Sequence, residues 1–135
     1  IEVLHHTEYI DRIVSDGMIT MTHTGRKYVY HDPCELGRGT GIYDEPRRVL
    51  SLLGTLVEAG KNGKESICCG GSVGSLSLGF DKRKALTENA LANLTVASPE
   101  VIVTACPLCK STFGRYAASP VMDIAEVIAK STVIQ

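Results

Sequence analysis

The sequence carries no surplus of positive charge: 14 Lys and Arg stand against 15 Asp and Glu, a net charge of −1. A nucleic-acid module normally needs a basic excess to neutralise phosphates, and a membrane-surface patch needs clustered basic residues, so both classes are excluded. No apolar run approaches the roughly 20 residues of a spanning helix. The first residues lack the charged, apolar and small-residue regions of a secretory signal. These absences lead us to expect a soluble, cytoplasmic protein that reaches a membrane only through a partner. What is present is 135 residues, 44% of them hydrophobic. That length suits one domain, which buries about two thirds of its unfolded surface and needs no disulfide staples.

Five cysteines are an odd number and cannot all pair within one chain. Cys34 is alone, Cys68 and Cys69 are adjacent, and Cys106 and Cys109 form Cys-Pro-Leu-Cys. Adjacent cysteines do not readily bridge each other, whereas two neighbouring thiolates can ligate one multinuclear metal centre. Cys-x-x-Cys alone leaves a redox dithiol, half a zinc site and an iron–sulfur ligand pair open. A dithiol would leave three cysteines as bystanders, and a four-ligand zinc site would leave one.

Short apolar runs alternate with amphipathic stretches. Strands are expected at residues 2–4, 27–30 (KYVY), 56–57 and 101–105 (VIVTA), near Val121–Met122, and in the short run Ser66–Ile67. Helices are expected over residues 7–15, 44–53, 81–97, from 107 to about 116, and 123–130, with Asp44 and Asp81 as N-caps. VIVTA is an almost unbroken apolar run, as in a strand buried on both faces. The pattern is α/β, a small parallel sheet with helices on both faces. Each cysteine group falls between an expected strand and an expected helix, so the three loops would converge at the carboxyl edge of the sheet, where open α/β sheets bind ligands. The positive ends of the following helices would favour thiolates there.

The strings around the cysteines are His31-Asp32-Pro33-Cys34-x-Leu36-Gly37-Arg38, Tyr43-Asp44-x-Pro46-Arg47, Cys68-Cys69-Gly70-Gly71 and Thr104-Ala105-Cys106-Pro107-x-Cys109, with 33 residues between Cys34 and Cys68 and 36 between Cys69 and Cys106. In both spacing and flanks the sequence resembles the cysteine-rich CCG domain, over almost its whole length. That domain occurs in catalytic subunits of heterodisulfide reductases and in iron–sulfur subunits of glycolate, lactate and glycerol-3-phosphate oxidoreductases.

The resemblance implies that Cys34, Cys68, Cys69, Cys106 and Cys109 bind one [4Fe-4S] cluster, of the non-cubane kind in the heterodisulfide reductase branch, with Gly70 and Gly71 beside it. Other branches hold a cubane cluster, or zinc in a structural or interaction role. The implied function is electron transfer within an oxidoreductase, with disulfide reduction as the catalytic alternative. The implied partners are a second CCG domain, a ferredoxin-like or flavin-containing subunit, and a quinone or disulfide acceptor. Family members carry two such domains, often behind a ferredoxin-like segment, and this sequence has one and begins at Ile1. We therefore expect residues 1–135 to be a single CCG domain from the C-terminal part of a longer protein.

Other residues have plainer readings. His31 is the only catalytic candidate, as a proton donor to a departing thiolate, and competes with a structural hydrogen bond within its loop. Asp32 reads as a turn or cap residue. Arg38 and Lys110 are candidates to offset negative charge, and Arg47 reads as solvated. His5 and His6 lie by the first expected strand and carry no assigned role. Glycines 37, 39, 41, 70, 71 and 74 are expected to bring backbone N–H groups close to sulfur.

Overall fold

The two runs richest in β-branched and aromatic side chains lie next to each other at the centre of the molecule. In the computed structural model, which describes residues 1–133, the helices are α1 (His6–Ser15), α2 (Asp44–Leu53), α3 (Phe80–Leu94), α4 (Pro107–Gly114) and α5 (Ile124–Ser131). The strands are β1 (Thr20–Met21), β2 (Lys27–His31), β3 (Thr55–Val57), β4 (Val101–Thr104), β5 (Val121–Asp123) and β6 (Thr132–Val133). β3, β2, β4 and β5 form a parallel sheet in that order, with Tyr28 opposite Val101 and His31 opposite Thr104. β1 and β6 form a separate antiparallel pair that periodicity does not reveal.

Side chains alternate across a strand, so each central strand serves two cores. Tyr28, Tyr30, Val101 and Val103 pack against Val49, Leu50 and Leu53 of α2 and Ile124 and Val127 of α5. Val29 and Ile102 face the other way, onto Ala90, Leu91 and Leu94 of α3 and Phe113 of α4. The α/β reading with helices on both faces holds. No helix among the described residues is long and apolar enough to cross a membrane.

Several local expectations give way. Residues 2–4 form no strand: Ile1 and Val3 are exposed, and His5 instead caps α1, its ring accepting from the Thr7 N–H while Glu8 accepts from the His5 N–H. No strand precedes Cys68, because β3 already occupies the sheet edge and the chain then crosses the end of the sheet without regular pairing. Tyr43 and Gly79, not Asp44 and Asp81, occupy the N-cap positions; the two aspartates lie in the first turns, where negative charge suits the helix dipole.

Arg47 is not solvated. Its side chain is 17% exposed and that of Asp32 is 2% exposed. It grips the Asp32 carboxylate through Nη1 at 2.6 Å and Nη2 at 2.8 Å, and Glu58 through Nε at 2.8 Å. Asp32 is thus neither a turn nor a cap residue but a buried anion, which also accepts from the Gly63 N–H at 2.8 Å. Removing one partner of a buried ion pair strands the other charge, so Arg47→Ala should cost about 3–5 kcal/mol of stability by urea unfolding. Arg47→Lys should recover only part of this, since an ammonium cannot reproduce the two-pronged grip. A loss in Arg47→Ala below about 1 kcal/mol, the value of an exposed pair, would contradict this role.

Candidate metal centre

The sheet order puts β2 and β4 side by side while the chain leaves them in opposite directions, β2 to α2 on one face and β4 to α4 on the other. The crevice between such diverging connections is where open α/β sheets bind ligands. Cys34 follows β2, and Cys106 follows β4 as the residue capping α4. Cys34 enters a single π-helical turn, Glu35–Gly39, and such turns concentrate at functional sites.

Cys69 reaches the same crevice, with Cys68 beside it, because the loop before them is tied to the end of β2. His31 Nε2 donates to the Ile67 carbonyl at 3.1 Å, Ser66 Oγ donates to the Asp32 carbonyl at 2.9 Å, and Arg38 Nη1 donates to the Ser66 carbonyl at 2.8 Å. Arg38 therefore serves the loop, and Lys110 pairs with Glu126 at 2.7 Å. His31 is 3% exposed and does not line the cysteine cavity; its ring stands edge-on to that of Phe113, with ring centres 4.8 Å apart. Burial lowers its pKa to about 4, so it is neutral with its proton on Nε2.

Gly70 and Gly71 fit where no side chain can. Gly70 has φ +84°, and a Cβ there would lie 2.9 Å from Thr87 Oγ1 of α3. A Cβ on Gly71 would collide with Thr112 Oγ1 of α4. The Gly70 N–H donates to Cys68 Sγ at 3.5 Å and the Gly71 N–H to Cys69 Sγ at 3.4 Å. Thr87 also donates to the Cys69 carbonyl at 2.8 Å. Of the other glycines, Gly74 lines the cavity and Gly37, Gly39 and Gly41 do not. Thr87 and Thr112 cannot be found from the sequence because nothing in their spacing from the cysteines marks them.

All five thiols are free. Cys69 contacts Cys109 and Cys68, Cys109 contacts Cys106, and Cys34 feels the charge of Cys68 and Cys69. The hydrogen bond from Cys109 brings the Cys69 pKa down to about 6, while that same bond and burial push Cys109 well up. Burial also raises Cys34. Helix dipoles alone therefore do not make this a set of thiolates: packed, desolvated sulfurs ionise together only beside a cation. Cys34, Cys69, Cys106 and Cys109 line a cavity of about 790 Å³, with His5, Leu36, Val73 and Leu108 in its walls and neither Lys nor Arg among them. Among the described residues, no three His, Cys, Asp or Glu side chains are arranged to hold a single metal ion.

A crevice of contiguous thiols at the switch point of a doubly wound sheet defines a cysteine-rich α/β domain with a candidate metal-binding edge. The sequence profile of the family described as "CCG: Cysteine-rich domain" matches residues 28–114, more than half of the chain and all five cysteines, and the chain belongs to that family. It is 35% identical over 146 aligned residues to the EtfAB:quinone oxidoreductase of Syntrophomonas wolfei, covering 96% of this chain and 20% of that protein. Identity to a probable iron-sulfur-binding oxidoreductase of Bacillus subtilis is 33%, over 96% of this chain and 20% of the other. A third relative, one of the subunits of the dihydromethanophenazine:CoB–CoM heterodisulfide reductase of Methanosarcina barkeri, is 31% identical over 96% of this chain and 34% of its own length. The chain thus spans between a fifth and about a third of these relatives' lengths.

The buried imidazole gives a test of the loop's anchorage. His31 titrates at 6.5 when unfolded and at about 4 when folded, so within that interval the unfolded state binds the extra proton and stability falls as pH falls. Between pH 6.5 and pH 4 the wild type should lose about 3 kcal/mol more than His31→Gln. Urea unfolding of both proteins across this range checks it, and parallel stability profiles would show that His31 is not held neutral.

Proposed function

We propose that this chain is an iron–sulfur electron-transfer domain of an oxidoreductase, with Cys34, Cys68, Cys69, Cys106 and Cys109 binding one [4Fe-4S] cluster. The observation that carries the reading is that Cys34, Cys69, Cys106 and Cys109 line one cavity of about 790 Å³ whose walls hold no Lys or Arg, with Cys68 beside Cys69. So many thiolates need a positive centre, and membership of the CCG family supports a multinuclear cluster that takes all five. Seating it exchanges thiol–thiol contacts for bonds to metal. The cluster supplies one-electron chemistry. The protein's own contribution is to hold the sulfurs, to donate the Gly70 and Gly71 N–H groups to two of them, and to surround them with apolar walls. Hydrogen bonds to ligand sulfur and restricted solvent both tune a cluster's potential.

The names of the relatives support a place in a larger assembly, one a quinone oxidoreductase and another a subunit of a heterodisulfide reductase. In this reading residues 1–135 are one CCG domain of a longer cytoplasmic protein. Electrons pass through it between a flavin-containing or ferredoxin-like partner and a quinone acceptor. A second reading, reduction of a disulfide in the same cavity, is supported by the partly accessible Cys34 and Cys106 that line it.

Anaerobic reconstitution with iron and sulfide should give a broad visible absorption and about four irons per chain, the content of a [4Fe-4S] centre. Cys69→Ser should abolish both signals. A colourless protein that takes up one zinc per chain instead would overturn the cluster in favour of a structural site.

A further inference from the structure

On the far side of the Cys68–Gly71 loop from the cysteine cavity lies a second, smaller cavity, of about 250 Å³. It is a cleft between two helices. Phe80, Arg83, Lys84 and Thr87 recur at helical spacing along one face of α3, and Leu108, Ser111, Thr112, Arg115 and Tyr116 along the facing side of α4 and the residues just after it. Gly70 and Gly71 close its inner end.

The charge in this cleft is unbalanced. Three cations line it and no Asp or Glu does. Lys84 leans on Glu88 at 3.7 Å and lies 5.9 Å from the Tyr116 ring centre. No hydrogen bond or ion pair within the described residues is made by the guanidinium groups of half-buried Arg83 and exposed Arg115. Arg83 Nε is moreover fully buried without a hydrogen-bond partner. A buried, charged N–H donor without a protein acceptor is rare in folded proteins and calls for a partner, an ordered water or a bound anion. Elsewhere in this molecule arginines that reach partly buried positions are met: Arg47 by two carboxylates and Arg38 by backbone carbonyls.

We propose that this cleft is a binding site for a doubly charged oxyanion, a phosphate group held between Arg83 and Arg115. Lys84 is already shared with Glu88, so two positive charges remain unpaired, which matches a dianion. Planar guanidinium groups suit phosphate oxygens because they donate two parallel hydrogen bonds. The Ser111 hydroxyl is exposed at the rim as a further donor. Leu76, Phe80 and Leu108 give the mouth an apolar side that would take the carbon body of a phosphate monoester. The site shares the Leu108 wall with the cysteine cavity but is lined by none of the cysteines and requires no metal there.

The test is a titration of the 135-residue chain with inorganic phosphate, and separately with phenyl phosphate, at constant ionic strength and about pH 8, where phosphate esters are dianions. Binding is followed by amide chemical shifts. Saturable shifts at Gly70, Gly71, Ser111 and Thr112 are expected. Arg83→Gln and Arg115→Gln should each weaken binding about tenfold or more, as loss of a charge-assisted contact does. Arg26→Gln, at the opposite edge of the sheet, should leave it unchanged, and thermal unfolding of each variant separates lost binding from lost fold. Tighter binding of phenyl phosphate identifies a phosphorylated small molecule as the ligand class, and equal affinity identifies free phosphate. Shifts that never saturate, or binding that survives in the Arg83→Gln/Arg115→Gln double variant, would overturn the site.

Discussion

The arrangement depends on one desolvated carboxylate. Asp32 sits immediately after β2 with its side chain on the α2 face, where Arg47 neutralises it. Its remaining acceptor capacity then captures the backbone of the crossing loop at Gly63, and its carbonyl takes the Ser66 hydroxyl. One residue earlier, alternation turns His31 to the opposite face, where it takes hold of Ile67. The two adjacent residues thus grip the same loop from both sides of the sheet. Because that loop has no strand of its own, these bonds set where Cys68 and Cys69 lie. A buried polar network is stable only when its members are satisfied, and Asp32, Arg47 and Ser66 each find their partners here.

The sulfur crevice poses the opposite electrostatic problem. The anchor pairs its buried charge with a fixed cation, whereas the crevice gathers ionisable groups with none in its walls. Without a cation the contact between them moves the two thiols in opposite directions, the Cys69 pKa down and the Cys109 pKa up. The fold thereby prepares a place that rewards positive charge without supplying it. Beyond the same loop the balance reverses, with guanidinium groups that lack anions. The Cys68–Gly71 segment is a thin partition between an electron-rich cavity and a cationic one.

What is legible in the sequence follows from periodicity. VIVT is buried throughout and KYVYH at all but its first residue, so their central place and the two-layered helical cover come directly from apolar spacing. The convergence of the cysteines is legible because strand ends and helix starts are marked by composition. The loop over residues 58–67 is not, since its conformation is imposed by His31 and Asp32 from more than 30 residues away. Arg47 looks solvated for the same reason: its carboxylate partners lie 15 and 11 residues off along the chain. The cationic cleft is invisible because Arg83 and Arg115 belong to different segments, and only packing of α3 beside α4 brings them together.

The glycines at 70 and 71 have a meaning apart from any metal. Each abuts a threonine hydroxyl, Gly70 on α3 and Gly71 on α4, at distances that leave no space for a methyl group. The doublet therefore records how closely two helices approach the loop and acts as a gauge of interhelical spacing. The two halves of the Cys68-Cys69-Gly70-Gly71 string thus answer to different physical constraints, the cysteines to the crevice and the glycines to the approach of α3 and α4. A descendant that moved α4 outward by a methyl's width would be released from the second glycine while keeping both cysteines, so drift at that position would report a change in packing before any change in chemistry.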